Sequence, residues 1–198
     1  MRTIPMVAGG LAHAIEILRD DELPVMRQAA GFHGMIVLAS LSDSAAGERV
    51  EIVSLWESQQ HLDTFDAADQ RRQTVQTMPQ LSAPAQLRVY EVAQFAGIPG
   101  GTVSRFISVQ LNPGYIDTVV GLFENVVMHA ATEQHGFRRG LLLVDRTANR
   151  AISIGLWHSE ADLIASERTG YLSQQIGNFT QVVAAPIVPE TLMVAVEC

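Results

Sequence analysis

Sulfur nucleophiles, long apolar runs and positive charge are all scarce in this chain of 198 residues. Its single cysteine, Cys198, is the last residue, so no internal disulfide can form, and a terminal thiol is a poor nucleophile. No segment reaches the roughly 18 uninterrupted apolar residues that a membrane span needs. Met1 to Gly10 also lacks the charged start and long apolar core of a signal peptide, which makes a cytoplasmic location the expectation. The 13 Lys and Arg residues face 21 Asp and Glu, for a formal net charge of −8. Such a field repels phosphate backbones and argues against nucleic acid as a partner. Arg71-Arg72 and Arg138-Arg139 are the only paired basic residues.

Cofactor and metal signatures are missing as well. The 6 histidines form no His-x-His or His-x-x-x-His pair, so no metal site is expected. Gly97 to Gly101 is neither a phosphate-binding loop nor a dinucleotide fingerprint, and Gly-x-Ser-x-Gly does not occur. No cofactor is expected on these grounds.

What is present is a repeat. Ser54-Leu55-Trp56-Glu57-Ser58 returns as Gly155-Leu156-Trp157-His158-Ser159, and these are the only 2 tryptophans. Each copy closes a strand-like run and opens a helix-like one. Gly31-Phe32 likewise returns as Gly136-Phe137, and Pro84 as Pro186. A composition 47% apolar and 17% charged is that of a folded chain, long enough for two units of roughly 100 residues each. The repeat favours two.

In the first half, Met1 to Val7 supports a short first strand or none. Leu11, Ile15, Leu18, Val25 and Met26 have helical spacing, with Pro24 expected to kink or divide the helix and Gly31 to end it. Met35 to Leu41 and Val50 to Trp56 form a hairpin around turn residues Asp43 to Gly47. Ser58 is an N-cap for a helix carrying Leu62, Phe65, Ala68, Arg72 and Val75 as far as Met78-Pro79, and Ala85 to Val92 is a last strand. Phe95 to Thr102, rich in glycine with Pro99, is a connector by composition. The second half begins with an alternating strand, Val103 to Leu111, in which Arg105, Ile107 and Val109 share a face. Asn112-Pro113 signals a helix start, and Ile116, Val119, Val120, Phe123, Val126, Val127 and Ala130 form an apolar stripe. Leu141 to Val144 and Ala151 to Trp157 pair around Thr147 to Asn149. A Ser159/Asp162 capping box then opens a helix through Leu163, Ile164, Leu172, Ile176 and Phe179, and Thr191 to Val196 closes the half.

Twice βαββαβ is the ferredoxin-like arrangement. The expected fold is α+β: tandem repeats, 1–93 and 103–198 joined by a linker at 94–102, whose antiparallel four-stranded sheets pack face to face as a barrel with helices outside. The order of elements, with Trp-x-Ser-Glu-Ala-Asp-Leu at Trp157 to Leu163 and Trp-x-Ser-x-x-x-Leu at Trp56 to Leu62, resembles the antibiotic biosynthesis monooxygenase family of dimeric α+β barrel proteins. The resemblance spans essentially the whole chain as two fused units. That superfamily holds cofactor-free oxygenases, haem-degrading enzymes, isomerases and binding domains, so the fold alone names no activity.

The resemblance implies a ligand space between sheet and helices, with Trp157 stacking on or hydrogen-bonding a planar substrate beside the small Gly155. Trp56 is the equivalent in the first half, and the competing reading of both indoles is core packing. A base is sought among histidines: His129 lies at the edge of its helix stripe, whereas His158 is expected in solvent. Arg105 among apolar neighbours needs a partner or a ligand, unless its stem is buried and its head lies in water. Arg168 and Tyr171 follow Trp157 and can reach over the pocket, Tyr171 offering an anion-stabilising hydroxyl. Haem-degrading relatives carry a histidine about ten residues after the tryptophan; here that region holds Phe65 and Asp66, and Glu167 and Arg168, which argues against that chemistry.

The expected function is a cofactor-independent monooxygenase or oxidase acting with molecular oxygen on an aromatic or polyketide-like small molecule, the second half being the better site. A non-catalytic barrel that binds a small hydrophobic ligand or serves in assembly is the alternative, and an isomerase or cyclase a further one. Fusion of two units allows a monomer with an internal pseudo-dimer or a homodimer.

Overall fold

The computed structural model describes residues 1–40, 47–68, 78 and 80–198. The expected turn at 43–46, helix positions Arg72 and Val75, the Arg71-Arg72 pair and Pro79 lie outside the described residues. Two compact units emerge: Met1–Val89 with Met193–Cys198, and Tyr90–Leu192.

The first unit contains β1 (Arg2–Pro5), α1 (Leu11–Ile17), α2 (Leu23–Arg27), β2 (Phe32–Ser40), β3 (Arg49–Trp56), α3 (Gln59–Ala67) and β4 (Gln86–Leu87). Its strands are antiparallel in the order β4-β1-β3-β2, so the short first strand exists. Cys198 exchanges both backbone hydrogen bonds with Met35, at 3.0 and 3.2 Å, which places the end of the chain beside β2. Pro24 does not break the helix, because it sits in the first turn of α2, where a missing N–H costs nothing. One π-helical turn, Leu18–Glu22, joins α1 to α2.

The second unit contains β5 (Glu91–Gly97), β6 (Val103–Gln110), α4 (Ile116–Leu122), α5 (Met128–Thr132), β7 (Phe137–Asp145), β8 (Arg150–Trp157), α6 (Glu160–Arg168) and α7 (Tyr171–Gly177). The final strand, β9 (Glu190–Glu197), begins in this unit. The sheet order is β6-β8-β7-β5, again antiparallel. Here too a π-helical turn, Phe123–Val127, joins the two helical segments. Its recurrence at the equivalent point shows that it belongs to the repeat and not to Pro24.

Three expectations need correction. Residues 94–97 of the expected linker belong to β5, which also takes Glu91 and Val92 from the expected strand Ala85 to Val92 and pairs with β7; Gln86–Leu87 forms β4 alone. Gly97 serves a close approach inside β5: at φ 107° a Cβ would meet the Arg138 carbonyl oxygen at 2.2 Å. Asn112 is not a helix cap, because α4 starts at Ile116; its side chain donates to the Val183 carbonyl at 3.4 Å and its backbone N–H to Val182 at 2.9 Å. The helix after Trp157 is two, divided at Gly170, whose φ of 81° ends α6 and re-aims the chain into α7.

In both units the repeated motifs are bonded to each other. The Gly31 carbonyl accepts from the Glu57 N–H at 2.7 Å, and the Gly136 carbonyl from the His158 N–H at 2.7 Å. Ser58 caps α3 by accepting from the His61 N–H, and Ser159 caps α6 by accepting from the Asp162 N–H. The Ser159 hydroxyl also donates to the Asp162 carboxylate at 2.6 Å, which, with His135 beside it, holds that carboxyl below the usual range. Strand and helix therefore meet at a fixed angle directly after each tryptophan.

Candidate functional site

Alternation along β6 and β8 turns Arg105, Ile107 and Val109 and Ala151, Ser153, Gly155 and Trp157 to the helix-covered face. The register is direct: Arg105 opposes Gly155 and Ile107 opposes Ser153, while Gly140 of β7 opposes Gly155 from the other side. The first unit has the same register, with Met35 opposite Ser54, Val37 opposite Ile52 and Ala39 opposite Val50. Position by position, Met35, Val50, Ile52 and Ser54 are replaced by Gly140, Ala151, Ser153 and Gly155. These four exchanges remove volume beneath the helices, whereas Val37 and Ala39 on the same face give way to the larger Leu142 and Val144.

The result is a pocket in the second unit with two lobes that share part of their lining. The first is lined by Arg105, Phe137, Gly140, Gly155, Trp157 and Tyr171, among others. The second is walled by hydrocarbon side chains that include Val119, Ile176, Phe179, Val183 and Ile187. Ile107, Phe123, Val127, Ser153, Leu172 and Gln175 line both. The π-helical turn matters here: it turns Phe123 and Val127 toward the sheet and leaves Val126 exposed, against the simple helical stripe. On the other side, the break at Gly170 lets α7 present Tyr171, Leu172, Gln175 and Ile176 to the cavity.

Trp157 is 3% exposed, with its ring edge-on to Phe137 at 5.5 Å and to Tyr171 at 6.3 Å. Its indole N–H is buried and has no acceptor among the described residues. Trp56 differs in the one detail that matters, since its N–H donates to the Ser54 hydroxyl at 3.0 Å. At the Ser54 position Trp157 has Gly155, where a built Cβ would lie 3.5 Å from the indole nitrogen. Trp56 is also stacked against Phe65 at 5.0 Å, and the residue equivalent to Phe65 is the small Ser166.

Arg105 finds its partner on α6: its guanidinium pairs with the Glu167 carboxylate. Burial pushes its pKa below the usual guanidinium range, yet it stays cationic at any physiological pH. The first unit has an analogous pair, Arg2 and Asp66 at 3.1 Å, with Arg2 opposite Ile52 and so two residues along its strand from the place of Arg105. The positions ten residues after each tryptophan thus hold acids committed to arginines, and neither offers a ligand to a haem iron. Tyr171 is half-buried, and burial pushes its phenol up to about 12, so it remains a proton donor.

His129, the expected base, does not line the cavity; its side chain is 78% exposed and lies 3.8 Å from Glu133 on the same helix. Arg168 is exposed and does not line it either. His158 is exposed, as expected. No histidine or cysteine lines either lobe, and among the described residues no three His, Cys, Asp or Glu side chains cluster as a metal site. Among the described residues no helix is long and apolar enough to cross a membrane. Gln175, Phe137 and the pairing of Arg105 with Glu167 join the site only in the folded structure. Gly136-Phe137 was visible only as a repeat marker, and Gln175 four residues after Tyr171 was the available helical signal.

No protein-family model matches the chain, and no curated protein matches it significantly. Solved structures do. A Fusobacterium nucleatum protein named "Putative monooxygenase" superposes with a TM-score of 0.79 at 11% identity, over 99% of this chain and 91% of its own. An "anthrone oxidase-like protein" superposes with a TM-score of 0.72 at 15% identity, over 100% and 90%. A Listeria monocytogenes ferredoxin-fold protein "related to antibiotic biosynthesis monooxygenases" does so with a TM-score of 0.54 at 14% identity, over 98% and 94%.

Proposed function

We propose, on the premise that this chain has the fused ferredoxin-like fold of proteins related to antibiotic biosynthesis monooxygenases, that its second unit is a monooxygenase or oxidase. It acts without a cofactor on a hydroxylated aromatic or polyketide-like small molecule. The observation that carries this reading is the buried Trp157 N–H, which has no acceptor among the described residues and faces a largely apolar cavity. A buried donor left unpaired is destabilising, and a ligand oxygen at that point removes the penalty. Arg105 and Tyr171 line the same lobe, so the lining offers three donors to the oxygens of a ligand, with the Gln175 carbonyl as an acceptor. Such a set favours an enolate or phenolate over its conjugate acid and lowers the ligand's own pKa.

With an anthrone, loss of the proton from the ring carbon leaves a delocalised carbanion, and that anion supplies the electrons for oxygen. One oxygen atom enters the ring as the new carbonyl, the second leaves as water, and anthrone plus O2 becomes anthraquinone plus H2O. No lining histidine acts as base; in this reading the site works by holding the anion. The chain has no lysine, which removes Schiff-base chemistry from the alternatives. Oxygen uptake by the purified protein with anthrone tests the proposal. Turnover is expected, and Trp157→Ala is expected to abolish it; unchanged uptake in that variant removes Trp157 from the mechanism.

The absence of a base from the lining favours a second reading, binding of a small hydrophobic ligand without turnover. Tight calorimetric binding of an anthrone with no product formed selects it. The two sequence repeats, 1–93 and 103–198, are proposed as copies of one ancestral unit, acting as a monomer or as a homodimer.

A further inference from the structure

The two lobes share part of their lining, and a polar side chain stands in the shared part. Gln175 on α7 is 8% exposed, its carbonyl oxygen is buried without a hydrogen-bond partner among the described residues, and it lines both lobes together with Ser153 of β8. A core glutamine whose carbonyl finds no donor is a destabilising choice beside a leucine or methionine. On one side of it lies the lobe of Arg105, Trp157 and Tyr171; on the other, hydrocarbon from Val119, Ile176, Phe179, Val183 and Ile187.

We propose that Gln175 is a specificity-determining residue that selects elongated ligands. A hydroxylated ring occupies the donor-lined lobe, a hydroxyl on it donates to the Gln175 carbonyl in the shared lining, and an alkyl chain fills the hydrocarbon lobe. This rests on the second-unit cavity being the ligand site, and it extends that reading from a planar ring to a ring bearing a tail. The two ends of the cavity demand different chemistry: a ring without a tail leaves the inner lobe unfilled, and a tail on a bare ring leaves Gln175 unpaired. A site built to pair with a substrate hydroxyl discriminates strongly against the analogue lacking it.

Calorimetric titration of the full chain with 4-hexylresorcinol, resorcinol and hexylbenzene tests this. The unaltered protein is expected to bind 4-hexylresorcinol at least about tenfold more tightly than either of the others. Gln175→Met keeps length and removes the carbonyl; it is expected to weaken 4-hexylresorcinol about tenfold while hexylbenzene binds as before or better. Its ligand-free Tm is expected to hold or to rise by about 2–4 °C, since an enclosed unpaired group is gone. Ile187→Trp, on an irregular segment beside the inner lobe, is expected to erase the preference for 4-hexylresorcinol over resorcinol.

A fall in Tm with all three ligands weakened equally in Gln175→Met makes the residue structural and overturns the proposal. An unaltered protein that binds hexylbenzene as well as 4-hexylresorcinol overturns it too, as does an Ile187→Trp protein that keeps the tail preference. These readouts are independent of turnover. Gln175-dependent selectivity without oxygen uptake ends the oxygenase reading and leaves this one standing. Trp157-dependent oxygen uptake without Gln175-dependent selectivity does the reverse.

Discussion

The surroundings of Trp56 and of Trp157 are the same construction with different contents. Both indoles stand at the end of the second hairpin strand, edge-on to a phenylalanine that follows a left-handed glycine, above a serine-capped helix. Around Trp56 the chain satisfies itself: Ser54 takes the indole proton, Phe65 covers the ring, and Met35 and Ile52 fill the face below. Around Trp157 each of these is reduced to Gly155, Ser166, Gly140 and Ser153, and the buried N–H is left over. The two units present equal frames, and in the second one small residues stand beside the indole. Met128 takes up part of that space, since its sulfur leans to within 2.4 Å of where a Gly140 Cβ would lie.

The comparison breaks most visibly at the indoles. Trp157→Ala is expected to cost about 3–5 kcal/mol of stability together with all ligand binding. Trp56→Ala is expected to cost less, because that ring is half-buried, and to leave binding by the second unit intact; urea unfolding and calorimetry on both variants check this. The arginine–acid pairs come next. Glu167→Gln leaves Arg105 without its counter-charge and is expected to cost about 1–2 kcal/mol after allowance for the partial exposure of the carboxylate. It also frees the guanidinium for anionic ligands, so phenolate affinity should rise while stability falls; Asp66→Asn should show only the second effect.

Gly155→Ser sharpens the comparison by rebuilding the Ser54 arrangement beside Trp157. With 3.5 Å from the Cβ position to the indole nitrogen, the new hydroxyl is expected to accept the N–H. Ligand affinity should then fall about tenfold, or about 1.4 kcal/mol, with stability changed by less than about 1 kcal/mol. The smallest effect concerns pH. Tyr171 binds its proton more tightly folded, at about 12, than an ordinary phenol does at 10.0. In that window the folded state holds more protons, so stability is full below pH 10 and falls as pH rises toward 12. Tyr171→Phe is expected to flatten this alkaline limb, measured by unfolding between those limits.

Much of this was legible in order along the chain. Hairpins, both serine caps, the terminal glycines and the face shared by Arg105 and Ile107 all follow from spacing over a few residues. The volume exchanges were legible as well, for anyone who aligned Met35, Val50, Ile52 and Ser54 with their counterparts. His129 was misplaced because a 3.6-residue period was run through a helix that carries a π-helical turn, which rotates every later side chain. The 95–97 stretch was misplaced because glycine marks loops and close backbone approaches alike.

The sequence by itself determined that one strand–helix–hairpin–helix unit occurs twice, and that each tryptophan is followed by a capped helix, because these are contacts between near neighbours or identical words. Only the tertiary structure decided that β5 pairs with β7, that Arg105 meets Glu167, and that the Trp157 N–H and the Gln175 carbonyl are buried without partners among the described residues. Those facts depend on which distant side chains fill a shared volume, and satisfaction of a buried polar group is a property of that whole volume.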